Sequence, residues 1–374
     1  MRFLVFSSIF TAVMAALNYY SYKRFFKKLH SPFNRYALLV PVILMLGDLF
    51  FIIEISIQII PESPAIYLIT SSFIGLTFMF FVIAVFYDLS VTASSKVPFD
   101  MQRRRTIKII FDITMLIAAF SYVFRGLAQG LKQPEINHVD IKIKDFPFNE
   151  FSLVQLSDVH VGRTIKKDFI ETLVEQVNEL RPDIVVITGD LVDLPLDRID
   201  KDLNPLGNIK APTYFIPGNH EYFHDLKDTI HYLGILGIKS LLNDSINIGD
   251  KENYFNLIGI TDLAGERLGI LPPDIEQAYK NTDTTKPCIV LAHQPKFIER
   301  MNNHRCDLML SGHTHGGQIF PFGFLVMMAQ PYLAGLYQHN KDQQIFVSRG
   351  TGYWGPPLRI LAPSEISRIV IQPD

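Results

Sequence analysis

The stretch FSLVQLSDVH, Phe151–His160, joins a continuous apolar run to an Asp-x-His pair. The run Phe151–Leu156 has the length of a buried strand, and two polar side chains come directly after it. Alternate residues of an extended segment face the same way, so Asp158 and His160 can reach one cation together. The stretch therefore predicts a strand that delivers two metal ligands at its carboxyl end.

Four further blocks of oxygen and nitrogen ligands follow predicted strands in the second half of the chain. The predicted strands are short apolar runs, and each block comes just after its run. Carboxyl ends of neighbouring strands in an open α/β sheet meet at one crevice, so we expect the blocks to converge on a single site. The pairs of run and block are Ile184–Thr188 with Gly189-Asp190-Leu-Val-Asp193, Tyr214–Ile216 with Gly218-Asn219-His220-Glu221, Cys288–Ala292 with His293, and Leu308–Leu310 with Gly312-His313-Thr-His315.

The surrounding sequence alternates between strand-like and helix-like patterns. His138–Lys144 alternates between apolar and polar residues as a half-buried strand does, while Phe169, Leu173 and Val177 recur at helical spacing. Alternation of strands with helices is typical of sheets covered by helices. We therefore predict an α/β layered fold for this part of the chain.

Four long apolar stretches occupy the first third of the chain. The 374 residues are 48% apolar, and the mean hydropathy of +0.19 is high for a wholly soluble protein. Each stretch approaches or exceeds the ~20 residues that a helix needs to cross a bilayer. For the first stretch a cleaved signal peptide is the alternative, because Arg2 precedes it and Ala15 and Ala16 lie near its end. The predicted organisation is four transmembrane helices within 1–129 (about 3–22, 37–60, 65–89 and 107–126), a linker over 130–137 and a globular domain over 138–374.

Basic residues are concentrated in two of the loops that connect these stretches. Lys and Arg are retained on the cytoplasmic side of a membrane, and the segment Pro61–Pro64 between them carries neither. This distribution predicts a multi-pass protein of the cell (inner or plasma) membrane, with the N-terminus and everything after Gly126 outside the cytoplasm. The basic residues are Lys23, Arg24, Lys27, Lys28 and Arg35 in the first loop, and Lys96, Arg103, Arg104, Arg105 and Lys108 in or beside the other.

Charge and cysteine content exclude some classes of protein. A net charge of -2 gives no reason to expect a nucleic-acid partner, since nucleic-acid-binding domains carry basic surfaces. Cys288 and Cys306 are the only cysteines, too few for a disulfide framework. Their apolar, strand-like surroundings favour buried free thiols, with a single bridge between neighbouring strands as the alternative.

The donor types in the five blocks fit two divalent metal ions. Carboxylate, amide and imidazole groups without a thiolate suit Mn, Fe, Zn or Co better than a structural zinc site. Asp190 offers two oxygens and can bridge two ions, Asn219 adds an amide oxygen, and His293 and His313 add imidazole nitrogens. Two such ions ~3.5–4 Å apart activate water and clamp a phosphoryl oxygen during in-line attack. The blocks thus predict hydrolysis at phosphorus.

Four other residues of these blocks receive separate roles. His315, at the end of its block, can point back to the first ion. His220 is placed to donate a proton to the leaving oxygen or to stabilise charge on the phosphoryl group. Asp193 and Glu221 are predicted to orient imidazoles or to cap the next helix.

The complete pattern resembles that of the calcineurin-like metallophosphoesterase superfamily, from about Phe151 to the C-terminus. The resemblance implies an α/β sandwich of two sheets, two divalent metal ions and hydrolysis of a phosphoric ester. It implies His220 as the catalytic histidine. It also implies that one metal is held by Asp158, His160, Asp190 and His315, and the other by Asp190, Asn219, His293 and His313.

Two longer stretches narrow the resemblance. Gly312–Gln318 and Val347–Gly352 are similar to a bacterial membrane-associated branch that includes phospholipid phosphodiesterases and a UDP-2,3-diacylglucosamine pyrophosphatase. This implies a membrane-anchored enzyme that hydrolyses a phosphodiester or pyrophosphate bond, in a substrate that includes a lipid. The alternatives are a cytoplasmic pyrophosphatase acting on a lipid-linked sugar nucleotide, and a non-catalytic metal-binding membrane receptor or assembly protein.

Four features outside the blocks complete the sequence-based hypotheses. Arg349 is a candidate for binding substrate phosphate, with an ion pair as the alternative, whereas for Arg359 an ion pair is favoured. Ile319–Ala329 is rich in Phe, Met, Leu and Val and is either a buried strand with its turn or an exposed apolar lip. Asp48 lies deep in the second apolar stretch, and the sequence assigns it no partner.

Overall fold

The computed structural model describes residues 2–31, 33–57, 63–94 and 101–374, which form two compact units. Lys96 and the segment from residue 58 to residue 62, which entered the topology prediction, lie outside these described residues. One unit comprises Met1–Leu131 and Gly355–Ile360, and the other comprises Lys132–Trp354 and Leu361–Asp374.

The first unit is helical. Its interior contains some polar side chains, and its outer surface is apolar. Its buried side chains include Phe25, Met79 and Tyr87, but also the polar Asp48. Large apolar side chains cover the outward faces of the helices, which is typical of helices surrounded by lipid. The helices are α1 (Arg2–Arg24), α2 (Leu39–Ile57), α3 (Pro64–Ser94) and α4 (Met101–Gly130).

The prediction of four membrane-spanning helices is wrong in number. Among the described residues, three helical segments are long and apolar enough to cross a membrane, and α1 does not contribute one of them. α1 is helical over the predicted length, but its second half carries Asn18, Ser21 and Lys23, which make it less apolar. The three segments are Phe33–Glu54, Pro64–Ala93 and Arg105–Gly130.

The segment Gly355–Ile360 packs among these helices although it follows the last ligand blocks in sequence. The backbone N–H of Arg359 donates to the carbonyl of Gly126 at 3.0 Å. A side chain at Gly130 would collide with the backbone of Pro357, so glycine permits this close approach. Arg359 is fully buried in the helical unit, and therefore it is not a surface residue.

The second unit is built on two six-stranded sheets of mixed direction, as the α/β sandwich predicts. The order of the first sheet is β1 (Glu135–Ile143), β12 (Glu365–Pro373), β2 (Phe151–Leu156), β3 (Ile184–Thr188), β4 (Thr213–Ile216) and β5 (Lys239–Ser240). In this sheet β2, β3, β4 and β5 are parallel neighbours, and β12 runs antiparallel to β2.

The second sheet likewise has a parallel centre. Its order is β10 (Gly335–Gln338), β11 (Gln344–Val347), β9 (Leu308–Ser311), β8 (Cys288–Leu291), β7 (Tyr254–Gly259) and β6 (Asp244–Gly249). The strands β7, β8, β9 and β11 are parallel, while β10 and β6 pair antiparallel at the two edges.

Apolar side chains fill three layers around the two sheets. Val186 of β3 and Ile289 of β8 contribute to the core between the sheets, while Val185 and Val290 face the outer layers. Strands buried on both faces read as continuous apolar runs, which explains the sequence pattern. The helices of this unit are α5 (Lys167–Glu179), α6 (Asp200–Leu203), α7 (Asn219–Phe223), α8 (Leu226–Ile235), α9 (Ala264–Leu268), α10 (Ile275–Tyr279) and α11 (Gly323–Val326).

Candidate metal centre

The five ligand blocks follow β2, β3 and β4 of one sheet and β8 and β9 of the other. Their first residues meet across the sandwich. The backbone N–H of His313 donates to both carboxylate oxygens of Asp158 at 3.0 Å. His293 Nε2 lies 3.1 Å from Asp190 Oδ2. The parallel centres of the two sheets therefore bring residues 155 positions apart into one cluster.

The first group of donors consists of Asp158, His160 and His315. One donor atom of each lies within 4.8 Å of the others, and all three residues are buried. His315 Nε2 is 3.4 Å from Asp158 Oδ1 and 3.1 Å from His160 Nε2. The two imidazole rings are stacked with centroids 5.0 Å apart, and their Nε2 atoms lie side by side.

The second group consists of Asp190, His293 and His313, with Asn219 following β4. One donor atom from each of Asp190, His293 and His313 lies within 4.8 Å of the others. The Oδ1 atom of Asn219 and the Nε2 atom of His293 are buried without a hydrogen-bond partner. A buried acceptor without a partner is costly, and a bound cation removes that cost. These atoms fit a metal ion.

Backbone strain marks the candidate ligands. The φ angles of Asp158, His160, Asp190, His313 and His315 lie between +51° and +69°. Residues other than glycine rarely adopt this left-handed conformation, and strained residues cluster at functional sites. Asp158 and His160 therefore converge through left-handed turns after β2, rather than through the extended alternation used in the sequence argument.

Two glycines are needed beside the ligands because there is no space for a side chain, and not because their backbone adopts an unusual conformation. A side chain at Gly312 would collide with the Ser157 hydroxyl and the Asp158 carboxylate, and one at Gly218 would collide with Asp190. Neither glycine has a positive φ. Gly312 therefore precedes the imidazoles because the loop passes directly over Asp158, and not because it turns sharply.

Hydrogen bonds behind the imidazoles fix which ring nitrogen faces the site. His160 Nδ1 lies 2.7 Å from Asp193 Oδ1, and His293 Nδ1 lies 2.8 Å from the Thr188 carbonyl oxygen. A carbonyl or carboxylate oxygen accepts the hydrogen, which leaves the lone pair of each neutral ring on Nε2. Such outer partners are a regular feature of metal-binding histidines.

Glu221 holds two ligand loops together. Its buried carboxylate accepts hydrogen bonds from the backbone N–H groups of Leu191 at 2.6 Å, Gly218 at 2.7 Å and Asp190 at 3.0 Å. Burial and the neighbouring Asp190 raise the pKa of Glu221 to about 7, against the opposing effect of these backbone donors. Glu221 thus positions the loops after β3 and β4 and binds no imidazole.

His220 lies beside the two groups and shares Asp193 with His160. Its Nδ1 is 2.6 Å from Asp193 Oδ1, and its Nε2 is 3.9 Å from Asp190 Oδ2. Burial lowers the pKa of His220, but the carboxylates of Asp190 and Asp193 outweigh burial and raise it to about 9. One donor atom from each of His160, Asp193 and His220 also lies within 4.8 Å of the others, yet Asp193 Oδ1 already contacts both imidazole rings.

The charges of the remaining donors depend on burial and on one another. Burial lowers the pKa of His313 to about 3, so this ring is neutral. Burial raises the pKa of Asp158. Burial also acts to raise the pKa of Asp190, but the neighbouring His293 and His220 hold that pKa well below its ordinary value. A neutral imidazole beside an ionised carboxylate is the form that binds metals.

Arg349 is placed beside the metal loops but is paired. Its Nη1 donates to Glu365 Oε2 at 3.0 Å, and its backbone N–H donates to the other oxygen of Glu365. A side chain added at Gly316, directly after His315, would meet the Arg349 side chain. The structure thus contains the ion pair that the sequence left as an alternative.

Exposed apolar side chains lie beside His220 and also along the segment after the last ligand block, and those beside His220 have no counterpart in the sequence hypotheses. Trp354 and Phe223 lie 5.8 Å and 6.0 Å from the His220 ring, between centroids, and both are exposed. Gln318 exchanges hydrogen bonds with the backbone of Trp354. Ile319–Ala329 is not a strand; it contains α11 and exposes most of its large side chains. We define the rim as Phe223, Phe320, Phe322, Phe324, Leu325, Met327, Met328 and Trp354, all exposed.

Several known proteins are similar to this chain. The family model described as calcineurin-like phosphoesterase matches residues 151–317. An uncharacterized metallophosphoesterase of Helicobacter pylori (strain 26695) is 37% identical and covers 98% of both chains. A protein of Danio rerio named transmembrane protein with metallophosphoesterase domain is 36% identical over 70% of this chain and 62% of its own. A solved dimetal phosphatase from Danio rerio aligns with a TM-score of 0.39 at 13% identity, over 59% of this chain and 91% of that chain.

Proposed function

Because this chain belongs to the calcineurin-like metallophosphoesterase family, we propose that it is a membrane-anchored hydrolase of a phosphodiester or pyrophosphate bond in a lipid-linked substrate. Membership of the family, which the sequence pattern predicted, makes the chain a metal-dependent phosphoric ester hydrolase. The bond, the lipid and the anchoring are the parts that we propose.

Seven residues would hold the two divalent ions. Asp190 belongs to the group with His293 and His313; its carboxylate has a second oxygen, so it would be the bridge to the other ion. When bound, such a pair of ions activates water and withdraws charge from the phosphoryl oxygens. The residues are Asp158, His160 and His315 for one ion and Asn219, His293 and His313 for the other, with Asp190 shared.

His220 would supply the proton for the leaving oxygen. Its Nδ1 contact with Asp193 fixes the ring, and its Nε2 is directed toward Asp190 and the donor groups. A proton held on Nε2 is then available at the edge of the site, where a leaving alkoxide or phosphate would depart. Arg349 would contribute positive charge near the substrate phosphate while Glu365 holds it in place.

The apolar rim is the observation that favours a lipid-linked substrate. Met328 is 83% exposed and Phe324 is 65% exposed, although burying such side chains against another apolar group is favourable. Exposed apolar patches of this kind mark surfaces that meet apolar partners. Since Trp354 and Phe223 lie against the His220 ring, an acyl chain on the rim would leave its phosphate at the metal centre.

The position of basic residues supports an extracytoplasmic site. Without α1 as a span, the number of crossings changes from four, which is even, to three, which is odd. The two basic loops both stay in the cytoplasm, the N-terminus moves to the cytoplasmic side, and the catalytic unit remains outside. The relative named as a transmembrane protein is consistent with this anchoring. A periplasm- or surface-dependent reporter fused after Asp374 should be active; activity of a cytoplasm-dependent reporter alone would reverse the orientation.

Paired substrates test the proposal with detergent-purified protein loaded with Mn, Zn or Fe. We expect a higher kcat/KM for a long-chain glycerophosphodiester or lipid-linked pyrophosphate than for its short-chain analogue with the same head group. Phe324→Ser with Met328→Ser should reduce this preference without changing hydrolysis of an aryl phosphodiester. Ile235→Ser, which removes an exposed apolar side chain on α8, is the matched control. Equal rates on long and short chains would remove the lipid from the proposal and leave the hydrolase.

A further inference from the structure

The helical unit contains a buried carboxylate that the phosphoesterase reaction does not use. Asp48 of α2 is 0% exposed, and it meets Asn18 of α1 and Thr77 of α3, which are 4% and 1% exposed. Three helices thus direct polar side chains at one point inside the bundle. The sequence showed Asp48 without a partner; the fold supplies two neutral ones.

The hydrogen bonds to the Asp48 carboxylate both fall on one oxygen, and Asn18 Nδ2 also donates to the Thr77 hydroxyl oxygen at 3.4 Å. Asn18 Nδ2 and Thr77 Oγ1 donate to Asp48 Oδ2 at 3.0 Å and 2.8 Å. The second amide hydrogen of Asn18 is used by the carbonyl of Met14 at 3.1 Å. Asn18 has two side-chain hydrogens and Thr77 has one, so the donors of this cluster are exhausted.

Two oxygens of the cluster remain without a donor. Asp48 Oδ1 and Asn18 Oδ1 are both buried and have no hydrogen-bond partner. Among the described residues no Lys, Arg or His lies within ion-pair distance of Asp48. Three basic residues of the helical unit instead pair with other carboxylates: Arg24 and Lys28 with Asp88, and Lys108 with Asp112. An ionised carboxylate buried in this way is strongly unfavourable unless a positive charge accompanies it.

Close packing leaves little access for compensating solvent. Gly47, directly before Asp48, packs against the ring of Phe73 so closely that a side chain there would overlap it. α2 and α3 therefore approach each other at the level of the carboxylate.

We propose that Asp48, Asn18 and Thr77 form a binding site for one monovalent cation, either a proton or a sodium ion. The ligands are oxygens only, with a single formal negative charge, which suits a monovalent rather than a transition-metal cation. A proton on Asp48 Oδ1 gives a neutral carboxyl that donates a hydrogen bond. A sodium ion instead binds Asp48 Oδ1 together with Asn18 Oδ1 and the hydroxyl oxygen of Thr77. The site is independent of the proposed hydrolase function.

Thermal unfolding of the full chain in detergent tests whether the bound cation is sodium. At constant ionic strength, replacing choline chloride by sodium chloride should raise the unfolding temperature of the wild type, and potassium chloride should have a smaller effect. Asp48→Asn, which supplies an amide donor and removes the charge, should make the unfolding temperature insensitive to sodium. Hydrolysis of an aryl phosphodiester by this variant should equal that of the wild type, because Asp48 lies in the helical unit.

Infrared difference spectra test whether the bound cation is a proton on Asp48. A bound proton predicts a protonated-carboxyl C=O band at neutral pH in the wild type that is absent in Asp48→Asn. Should Asp48→Asn fail to fold, Thr77→Val keeps the carboxyl and should shift this band or weaken the sodium effect. Thr70→Val is its control, because Thr70 is a buried α3 hydroxyl that bonds only within its own helix. Absence of both the sodium effect and a band sensitive to Asp48 or Thr77 would overturn the proposal.

Discussion

At the scale of single residues, His220 and Asp193 separate the chemistry from the binding of metal. Asp193 Oδ1 contacts one imidazole that faces the donor groups and another that lies at their edge. In the proposed function this carboxylate orients a metal ligand, His160, and the proton donor, His220, at once. Burial opposes the ionisation of Asp193, but His160 and His220 hold its pKa well below the usual range.

Replacing His220 by Asn should affect turnover more than metal content. Loss of a positioned proton donor lowers rates by about 10²- to 10⁴-fold, and His220 is not among the proposed ligands. We expect kcat to fall by this amount while elemental analysis still finds two metals per chain. His231→Asn, an exposed histidine of α8, controls for general effects. Loss of metal in step with activity would instead make His220 a ligand.

Replacing Asp193 by Asn should weaken metal binding. The neutral amide no longer balances the His160 imidazole, and removal of such an outer partner costs roughly 10- to 100-fold in affinity. Activity measured against added Mn or Zn should recover at higher metal concentration, to a level limited by the misplaced His220. The exposed Asp197→Asn on the same loop should behave as the wild type. An unchanged metal titration of Asp193→Asn would contradict this role.

At the scale of elements, the loops after the parallel strands carry the candidate ligands, and the strands determine where those loops lie. Glu221 ties the loops after β3 and β4 through backbone N–H groups. Left-handed residues turn the side chains into the crevice. Space is the limiting factor, since the loop after β9 passes over Asp158 with no room for a side chain at Gly312.

Replacing Gly312 by Ala should disrupt the first donor group. The added methyl group would overlap the Asp158 carboxylate and the Ser157 hydroxyl, and overpacking of this kind costs typically ~1–3 kcal/mol. We expect a lower unfolding temperature and loss of one metal per chain. Gly234→Ala is the matched control, because nothing lies within 4 Å of its added carbon; it should retain both metals. Full metal content in Gly312→Ala would show that the loop can move aside.

At the scale of the whole molecule, the sandwich interior excludes solvent from its two thiols. Cys288 and Cys306 are free and buried, as the sequence favoured over a bridge. Burial, reinforced by Asp307, raises the pKa of Cys288 to about 12, and burial raises the pKa of Cys306 well above its ordinary value. Only the thiolate reacts with alkylating reagents.

Thiol labelling should therefore report global unfolding. In the native protein at pH 8 we expect iodoacetamide to leave both cysteines intact, and denaturant should expose them together. A raised pKa stabilises the fold fully below the unfolded thiol pKa of ~8.5, and this contribution is lost as pH rises toward about 12. Cys288→Ala should reduce that alkaline loss of stability. Rapid native labelling at pH 8 would show that the sandwich opens locally.

The sequence by itself determined the kind of chemistry. Residue type and order are local properties, so Asp158-x-His160 and Gly312-His313-Thr-His315 after apolar runs indicated strand-end ligands, two divalent ions and the family. The apolar stretches likewise indicated helices, although the polar second half of α1 leaves three candidate spans instead of four.

Tertiary structure alone decided which groups these residues meet. Pairing of Arg349 with Glu365, burial of Asn219 Oδ1, exposure of the apolar rim and packing of Gly355–Ile360 among the helices all depend on contacts between distant segments. Hydrophobic periodicity reports whether a side chain prefers to be buried, but not which partner satisfies it. Asp48 shows the difference: its sequence position indicates only a costly charge, while the fold places two neutral residues on one of its oxygens and leaves the other bare.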